Sequence, residues 1–183
     1  MKQPLDKRTG LIGAKEKRPV ILVPYNPLWV NTFQYHAAVI MRALGTKVIQ
    51  IEHIGSTAVP KLMAKPIVDI LVVLENTAEE NEYLQIMLEC GYSLRVREPD
   101  HDEHRMFRSQ MRDVHIHFFS QRSIEIDRYL IFRSALRESE EIRNNYQRLK
   151  QQLACQEWED MNEYAQAKSV FIENTIKENS KPK

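Results

Sequence analysis

The sequence has no apolar run near the roughly 20 residues needed to cross a bilayer, so a membrane-embedded role is not expected. Cysteine is scarce. Cys90 and Cys155 are the only two, far apart and without the CxxC spacing of a zinc or redox pair. A disulfide framework is therefore not expected, and both thiols read as reduced and buried or half-buried. Neither sign of charge is in excess, with 26 Lys plus Arg against 25 Asp plus Glu. General nucleic-acid coats and anionic-membrane binders carry a clear basic surplus, so this balance argues against both. Residues 1–20 have charges but neither an apolar stretch nor a small-residue cleavage site, so no secretory signal is expected and the cytosol is the expected compartment.

Lysine is missing from one long stretch. Between Lys65 and Lys150 there is none, yet that stretch holds eleven arginines: Arg95, Arg97, Arg105, Arg108, Arg112, Arg122, Arg128, Arg133, Arg137, Arg143 and Arg148. Guanidinium groups grip phosphate and carboxylate bidentately, which suits an anion-binding cleft. The same residues on solvated helix faces would need no ligand, and composition does not separate the two.

What is present fits one domain: 183 residues, 43% of them hydrophobic. Residues 1–18 are polar and read as a mobile tail. A short strand is expected at Val20–Val23. Asn26 as cap and Pro27 at the first helical position open an amphipathic helix through Trp29, Phe33, Ala37, Ile40 and Leu44, which Gly45 ends. Strands are expected at Val48–Ile54 and Ile67–Leu74, then a helix opened by a Thr77/Glu80 capping box and ending at Gly91. Two strands near Arg105–Ser109 and Val114–Phe119, linked by Gln110–Asp113, suggest a hairpin. Helices follow at about Ile124–Arg137, Glu140–Ala154 and Glu157–Lys177. The expected architecture is α+β: a mixed sheet flanked by helices over about 19–122, then a helical part over about 123–178, together one domain of residues 19–178.

The stretch Glu52-His53-Ile54-Gly55-Ser56-Thr57-Ala58-Val59-Pro60 runs from a strand into a loop, and the next strand sets one acid, Asp69, among apolar neighbours. A carboxylate buried there needs a cation, a metal or several donors. Gly55 permits close backbone approach, and the Ser56 hydroxyl with nearby amides can hold phosphate oxygens. A tight turn, with Asp69 bonded to backbone amides, is the plainer alternative.

Gly-Ser followed by an acid on the next strand is similar to the nucleotidyltransferase signature. The longer strings EHIGSTAVP and AKPIVDILV resemble the signature of the GrpB family more specifically. Further markers are Val23-Pro24-Tyr25 with Trp29, His104-Arg105-Met106-Phe107, His115-Ile116-His117, Phe132-Arg133, Tyr146 with Leu149-Lys150, and Tyr164 with Ala167-Lys168. The resemblance implies a nucleotidyltransferase-like fold, a domain that in some bacteria is fused behind dephospho-CoA kinase. It implies the position of a site, with a nucleotide as possible ligand, but not a reaction.

Two positions depart from the pattern. Active nucleotidyltransferases carry Asp-x-Asp and a third acid on a neighbouring strand, which together hold two magnesium ions. Here the second acid is replaced by Leu71. Lys61 stands where the family has glycine after Val-Pro, beside the loop where it can meet an anion or point to solvent. On the strand of the third acid, His115 and His117 share one face about 6 to 7 Å apart. With Asp69 they form a candidate set for a divalent metal, and zinc, manganese or iron suits it better than magnesium.

The remaining candidates have two readings each. Glu52 is a candidate acid or base, or an arginine's structural partner. Gly55, Ser56, Thr57, Lys65 and Arg105 are candidate ligand-binding residues, joined by Arg133 from the family pattern; Lys65 and Arg105 equally suit salt bridges on a cleft rim. Lys150 and Lys168 read mainly as packing. Asp100 to His104 reads as a solvated loop. Three functions are compatible: nucleotidyl or phosphoryl transfer to a small molecule, a non-catalytic module binding a nucleotide or CoA-like ligand, and a histidine-based metal-dependent hydrolase. All three take a phosphate-containing small molecule, and the oligomeric state is open.

Overall fold

The structure is a computed structural model that describes residues 5–6, 10–17 and 19–180. Two short strands, β1 (Leu5–Asp6) and β2 (Leu11–Ile12), precede helix α1 (Leu28–Leu44). Then come β3 (Gln50–Ile54), β4 (Val68–Leu74), α2 (Leu84–Glu89), β5 (Ser93–Glu98), β6 (His104–Arg108) and β7 (Val114–Ser120). The chain closes with α3 (Glu125–Glu138), α4 (Glu140–Ala154), α5 (Met161–Gln166) and α6 (Ser169–Asn179). The strands form one sheet in the order β1-β2-β5-β6-β7-β4-β3. Every neighbouring pair is antiparallel except β4 and β7. No helix among the described residues is long and apolar enough to cross a membrane.

Strand alternation divides β4 between two cores. Val68, Ile70, Val72 and Leu74 join Trp29, Ile40 and Leu44 of α1, Met87 of α2, and Phe107, Ile116 and Phe118 of the hairpin strands. Leu71 and Val73 face the other way, with Ile54, Phe119 and Ile126 of α3. Asp69 belongs to this second face by alternation, one step before α3's cover. The last helices pack on the loop after β3: Leu136, Tyr146, Phe171 and Ile172 enclose Val59 and Leu62. The helical third therefore shapes the loop that follows the Gly-Ser turn.

The expected α+β architecture is the one observed, and both cysteines are free thiols, Cys90 half-buried and Cys155 exposed. The first helix opens as its sequence implies, with Asn26 Oδ1 accepting from the Leu28 N–H at 3.0 Å. Several expectations need correction. Residues 1–18 read as a mobile tail; residues 1–4, 7–9 and 18 lie outside the described residues, but β1 and β2 extend the sheet edge and Arg97 N–H donates to Gly10 O at 2.8 Å. Short polar segments lack a hydrophobic signal, and it is the arginines of β5 that hold this one. Val20–Val23 is not a strand; only Val23 pairs, in a bridge with Ala64.

The Thr77/Glu80 capping box is absent. The Thr77 hydroxyl donates to Glu103 O at 2.7 Å, and Glu80 pairs with Arg97 and Arg105. A tertiary ion pair outcompetes the local cap, and α2 starts later, at Leu84. Strand β5 has no clean alternation, and its register shifts between Leu94 and Val96. The helix expected at Glu157–Lys177 is two helices; Asp160, not Glu157, caps the first by accepting from the Asn162 N–H.

Lys61 sits exposed at φ 69°, in the left-handed region that disfavours a side chain. This explains why a glycine suits the position. Lys61→Gly is expected to stabilise the fold by about 0.5–1 kcal/mol, checked by urea unfolding.

Candidate functional site

Gly55 ends β3 with φ 70°, and a short 3-10 turn over Ser56–Ala58 follows. A Cβ at Gly55 would lie 2.4 Å from Asp69 Oδ2. Glycine is therefore required twice, by the dihedral and by the carboxylate packed against the turn. Asp69 stands opposite Ile54 on one side and His115 on the other. Its Oδ1 lies 3.6 Å from His115 Nδ1 and 3.6 Å from His117 Nε2. The imidazole centroids are 6.5 Å apart. Burial pushes the Asp69 carboxyl up, but the two imidazoles outweigh it and hold the group well below the usual carboxylate range.

A third histidine sets the orientation of this group. His104 Nδ1 lies 2.7 Å from Glu98 Oε2, and His104 Nε2 lies 3.1 Å from His117 Nδ1. Burial lowers the His104 pKa despite Glu98, which favours the neutral ring. A neutral His104 gives its one proton to Glu98 and accepts from the His117 Nδ1–H. Neutral His117 then turns a lone pair at Nε2 toward Asp69. Lone pair facing carboxylate oxygen is unfavourable unless positive charge lies between, either a proton on the imidazole or a cation.

The donor set allows a test of the metal reading. Asp69, His115 and His117 each offer a ligand atom, all within 4.8 Å of one another. Two ligands on a tetrahedral ion with bonds of about 2.1 Å stand about 3.4 Å apart, close to the observed 3.6 Å. Nitrogen and oxygen donors with a hydrogen-bonded histidine suit zinc or manganese. A two-magnesium site does not fit, because Leu71 is fully buried among Ile54, Val73 and Phe119.

Two lysines stand near the turn, Lys168 on the cavity wall and Lys150 buried behind Ser56. Lys150 Nζ donates to Ser56 Oγ at 3.2 Å and also to Met63 O. Burial, then the charges of Lys168 and Lys65, push the Lys150 ammonium down to about 7. Burial, then Lys65, push Lys168 down to about 8, against the pull of Asp69. Lys65 and Lys168 share the face of Tyr164 at 5.0 and 4.4 Å. A cavity of about 310 Å³ lies between these groups, walled by Gly55, Ser56, Asp69, Tyr129, Arg133 and Lys168.

The structure brings Asp69, His115, His117, Gly55 and Ser56 together. Arg133 lines the same cavity but is bonded to Glu52 at 2.8 Å and to His53 O at 2.6 Å, so Glu52 acts here as its partner. Lys65 lies beside His115 on a neighbouring cavity. Two candidates are not brought in. Arg105 alternates to the other face of β6, opposite Phe118, where Glu80 and Glu103 pair with it. Thr57 is buried and bonded to His53 Nε2 at 3.0 Å. Sequence reasoning placed His104 in a solvated loop, passed over Glu98, and read Lys150 and Lys168 as packing; Glu98 pairs with His104 across β5 and β6, and His104 reaches His117 diagonally across the hairpin. The tyrosines beside the two lysines were the available signal, since a lysine over an aromatic face is a desolvated one.

The lysines give a pH signature for the ligand-free protein. Unfolded lysine titrates near 10.5 and folded Lys150 near 7, so between those values the unfolded chain holds the extra proton. Stability is therefore expected to climb between about pH 7 and the unfolded value of 10.5, and in Lys150→Met to climb less; melting temperature against pH checks this. Gly55→Ala is expected to lower stability by about 2–3 kcal/mol, read from urea unfolding.

A family model described as GrpB protein matches residues 19–178. A UPF0157 protein of Halalkalibacterium halodurans is 44% identical over 158 residues, covering 86% of this chain and 81% of the relative. The crystal structure of conserved protein GrpB from Enterococcus faecalis superposes with a TM-score of 0.78 at 34% identity, over 87% of this chain and 96% of that one. Dephospho-CoA kinase of Mycolicibacterium paratuberculosis is 33% identical over 79 residues, 42% of this chain and 19% of the kinase. The match takes in strands β3 to β7, the Gly-Ser turn and the helices that bring the lysines, and the chain belongs to the GrpB family.

Proposed function

We propose that the cleft binds a phosphate-containing small molecule of nucleotide or CoA type and transfers its phosphoryl or nucleotidyl group, with one divalent cation at Asp69, His115 and His117. The observation that supports this is a pairing of opposites. Asp69 of a carboxylate–imidazole set fit for a cation shares one cavity with Gly55, Ser56 and Lys168, and Lys150 lies behind that wall, bonded to Ser56. A bound phosphate would restore the protons on both lysines and relieve their mutual repulsion.

Each residue then has a task. Lys168 and the Ser56 hydroxyl hold the phosphate oxygens, and Lys150, bonded to Ser56, orients that hydroxyl from behind the wall. Gly55 admits the Asp69 carboxylate against the turn. Asp69 and the two histidines would hold the cation, and Glu98 through His104 fixes the tautomer of His117. When bound, such a cation supplies Lewis acidity at a phosphoryl oxygen. Tyr129, packed 5.7 Å from the His117 ring, limits water at that wall. The acceptor in this reading is a small molecule or water, and the setting is cytosolic. No membrane or nucleic-acid partner is invoked.

A second reading is supported by Leu71. A family site without its second acid suits a module that binds the ligand and does not turn it over. Metal analysis, melting temperature and phosphorus NMR separate the two. Wild-type protein is expected to retain zinc or manganese, to gain several degrees with a nucleotide plus that metal, and to form a new phosphorus species. Nucleotide-dependent stabilisation without any new phosphorus species supports the binding module. Asp69→Asn is expected to fold and to lose at least tenfold in ligand affinity; unchanged affinity removes Asp69 from the site.

A further inference from the structure

A second cavity, of about 450 Å³, has His115 in its wall, 3.6 Å from the Asp69 that lines the first. Arg108 stands opposite His115 in the β6–β7 register, so the basic wall of this cavity begins one strand from the Asp69 group. Three guanidiniums converge there on one carboxylate oxygen. Glu16 Oε1 lies 2.7 Å from Arg108 Nη1, 3.6 Å from Arg112 Nη1 and 3.8 Å from Arg95 Nη2. The Arg95 and Arg108 side chains are only 11% and 14% exposed.

One carboxylate does not satisfy this cluster. The Arg108 Nε is buried with no hydrogen-bond partner. Burial holds the Arg95 guanidinium below its ordinary value, the charges of Arg108 and Arg112 add to that, and Glu16 does not restore it. The other acids on the cavity wall are engaged elsewhere. Asp113 accepts from Ser109 Oγ at 2.7 Å, and Asp160 caps α5 beside Lys15.

Glu16 belongs to a segment held mainly by polar ties. Residues 10–17 are tied to the sheet by the Leu11–Val96 pairing, by Gly10 O, and by Arg95 donating to Ile12 O and Ala14 O, and to the helical part by Lys15 with Asp160 and Lys17 with Glu159. The family match begins at residue 19, so this strap precedes it, whereas all three arginines lie within it. An anion site built into the domain is thus filled by a carboxylate from outside the matched segment.

We propose that Arg95, Arg108 and Arg112 form a second anion subsite, for a phosphate or carboxylate at the far end of the cleft's ligand, and that Glu16 occupies it as a tethered stand-in. The subsite extends the reading of the cleft as a phosphate site, though its own anion binding does not depend on any transfer. A phosphate has more acceptor oxygens than a carboxylate and three of them can reach separate guanidiniums, including the unpartnered Arg108 Nε–H. Glu16 competes as an intramolecular ligand, and such tethering corresponds to an effective concentration on the order of millimolar. Removing its charge should therefore tighten binding of a free anion.

Inorganic pyrophosphate is the probe, titrated calorimetrically into the full chain. Glu16→Gln is expected to bind it about tenfold tighter than wild type, and adding Arg108→Gln to that variant should abolish the gain. In the wild-type protein, pyrophosphate should speed amide hydrogen exchange over residues 10–17 as Glu16 is displaced. Equal affinity in wild type and Glu16→Gln, or unchanged exchange in the strap at saturating pyrophosphate, overturns the proposal. Tight binding that survives Asp69→Asn in the Glu16→Gln background supports the subsite even if the transfer reading fails. Binding that is abolished by Asp69→Asn and indifferent to Glu16 overturns the subsite and leaves the transfer reading standing.

Discussion

A carboxylate on an interior strand is the constraint around which this molecule is organised. Without answering charge, burying it costs several kcal/mol, and the surroundings of Asp69 supply that answer. The parallel partner β7 places His115 and His117 at 3.6 Å, and β6 supplies His104 to orient one of them. Gly55 yields the space the carboxylate takes. Each of these features is locally unfavourable or unusual: a positive φ, clustered imidazoles, an acid in an apolar run. Together they are consistent, since each removes the penalty of another.

The helical third does the complementary work. Leu136, Tyr146, Phe171 and Ile172 pack on Val59 and Leu62, which fixes the loop after the Gly-Ser turn. The same packing holds Lys150 behind Ser56 and brings Lys168 to the cavity wall. Hydrophobic packing thus draws two ammonium groups into a poorly hydrated place, and burial is the first cause of both lowered pKa values, with neighbouring lysine charges adding to it. The cationic side of the site is therefore set by residues that are distant in sequence from the turn.

The strong periodicities were readable from the chain. Strand β4, the hairpin of β6 and β7, and the helices α1, α3 and α4 follow alternation or helical spacing closely, and the imidazole separation of 6.5 Å is what period-two geometry requires. The motif also located Asp69 and the turn. What escaped was set by pairing across the chain. Glu80 reads as a capping residue until Arg97 and Arg105 arrive from other strands. Arg105 reads as a cleft cation until its alternation, counted from the neighbouring Arg108 and Met106, turns it to the other face. His104 lies at the end of a polar run and gains its meaning only from the strand pairing that brings it diagonally to His117. Residues 10–17 have too little apolar surface to announce a strand, and Arg95 and Arg97 of β5 decide their place instead.

The replacement of the second acid by Leu71 follows from the same two-faced architecture. Position 71 lies under α3, among Ile54, Val73, Phe119 and Ile126. An aspartate there would need a metal to neutralise it, and the helix would have to stand away to admit water and ligand. With leucine, the helix closes down, the second core forms, and a full side-chain burial of about 1.5–3 kcal/mol is gained. The face of β4 is thereby divided along its length: Leu71 and Val73 are closed under α3, while Asp69, two residues earlier, stays on the cavity beside Gly55, Ser56 and Lys168. An acid is kept where the strand is open and a leucine where it is covered, so the same helix that completes the second core also sets the limit of the polar site.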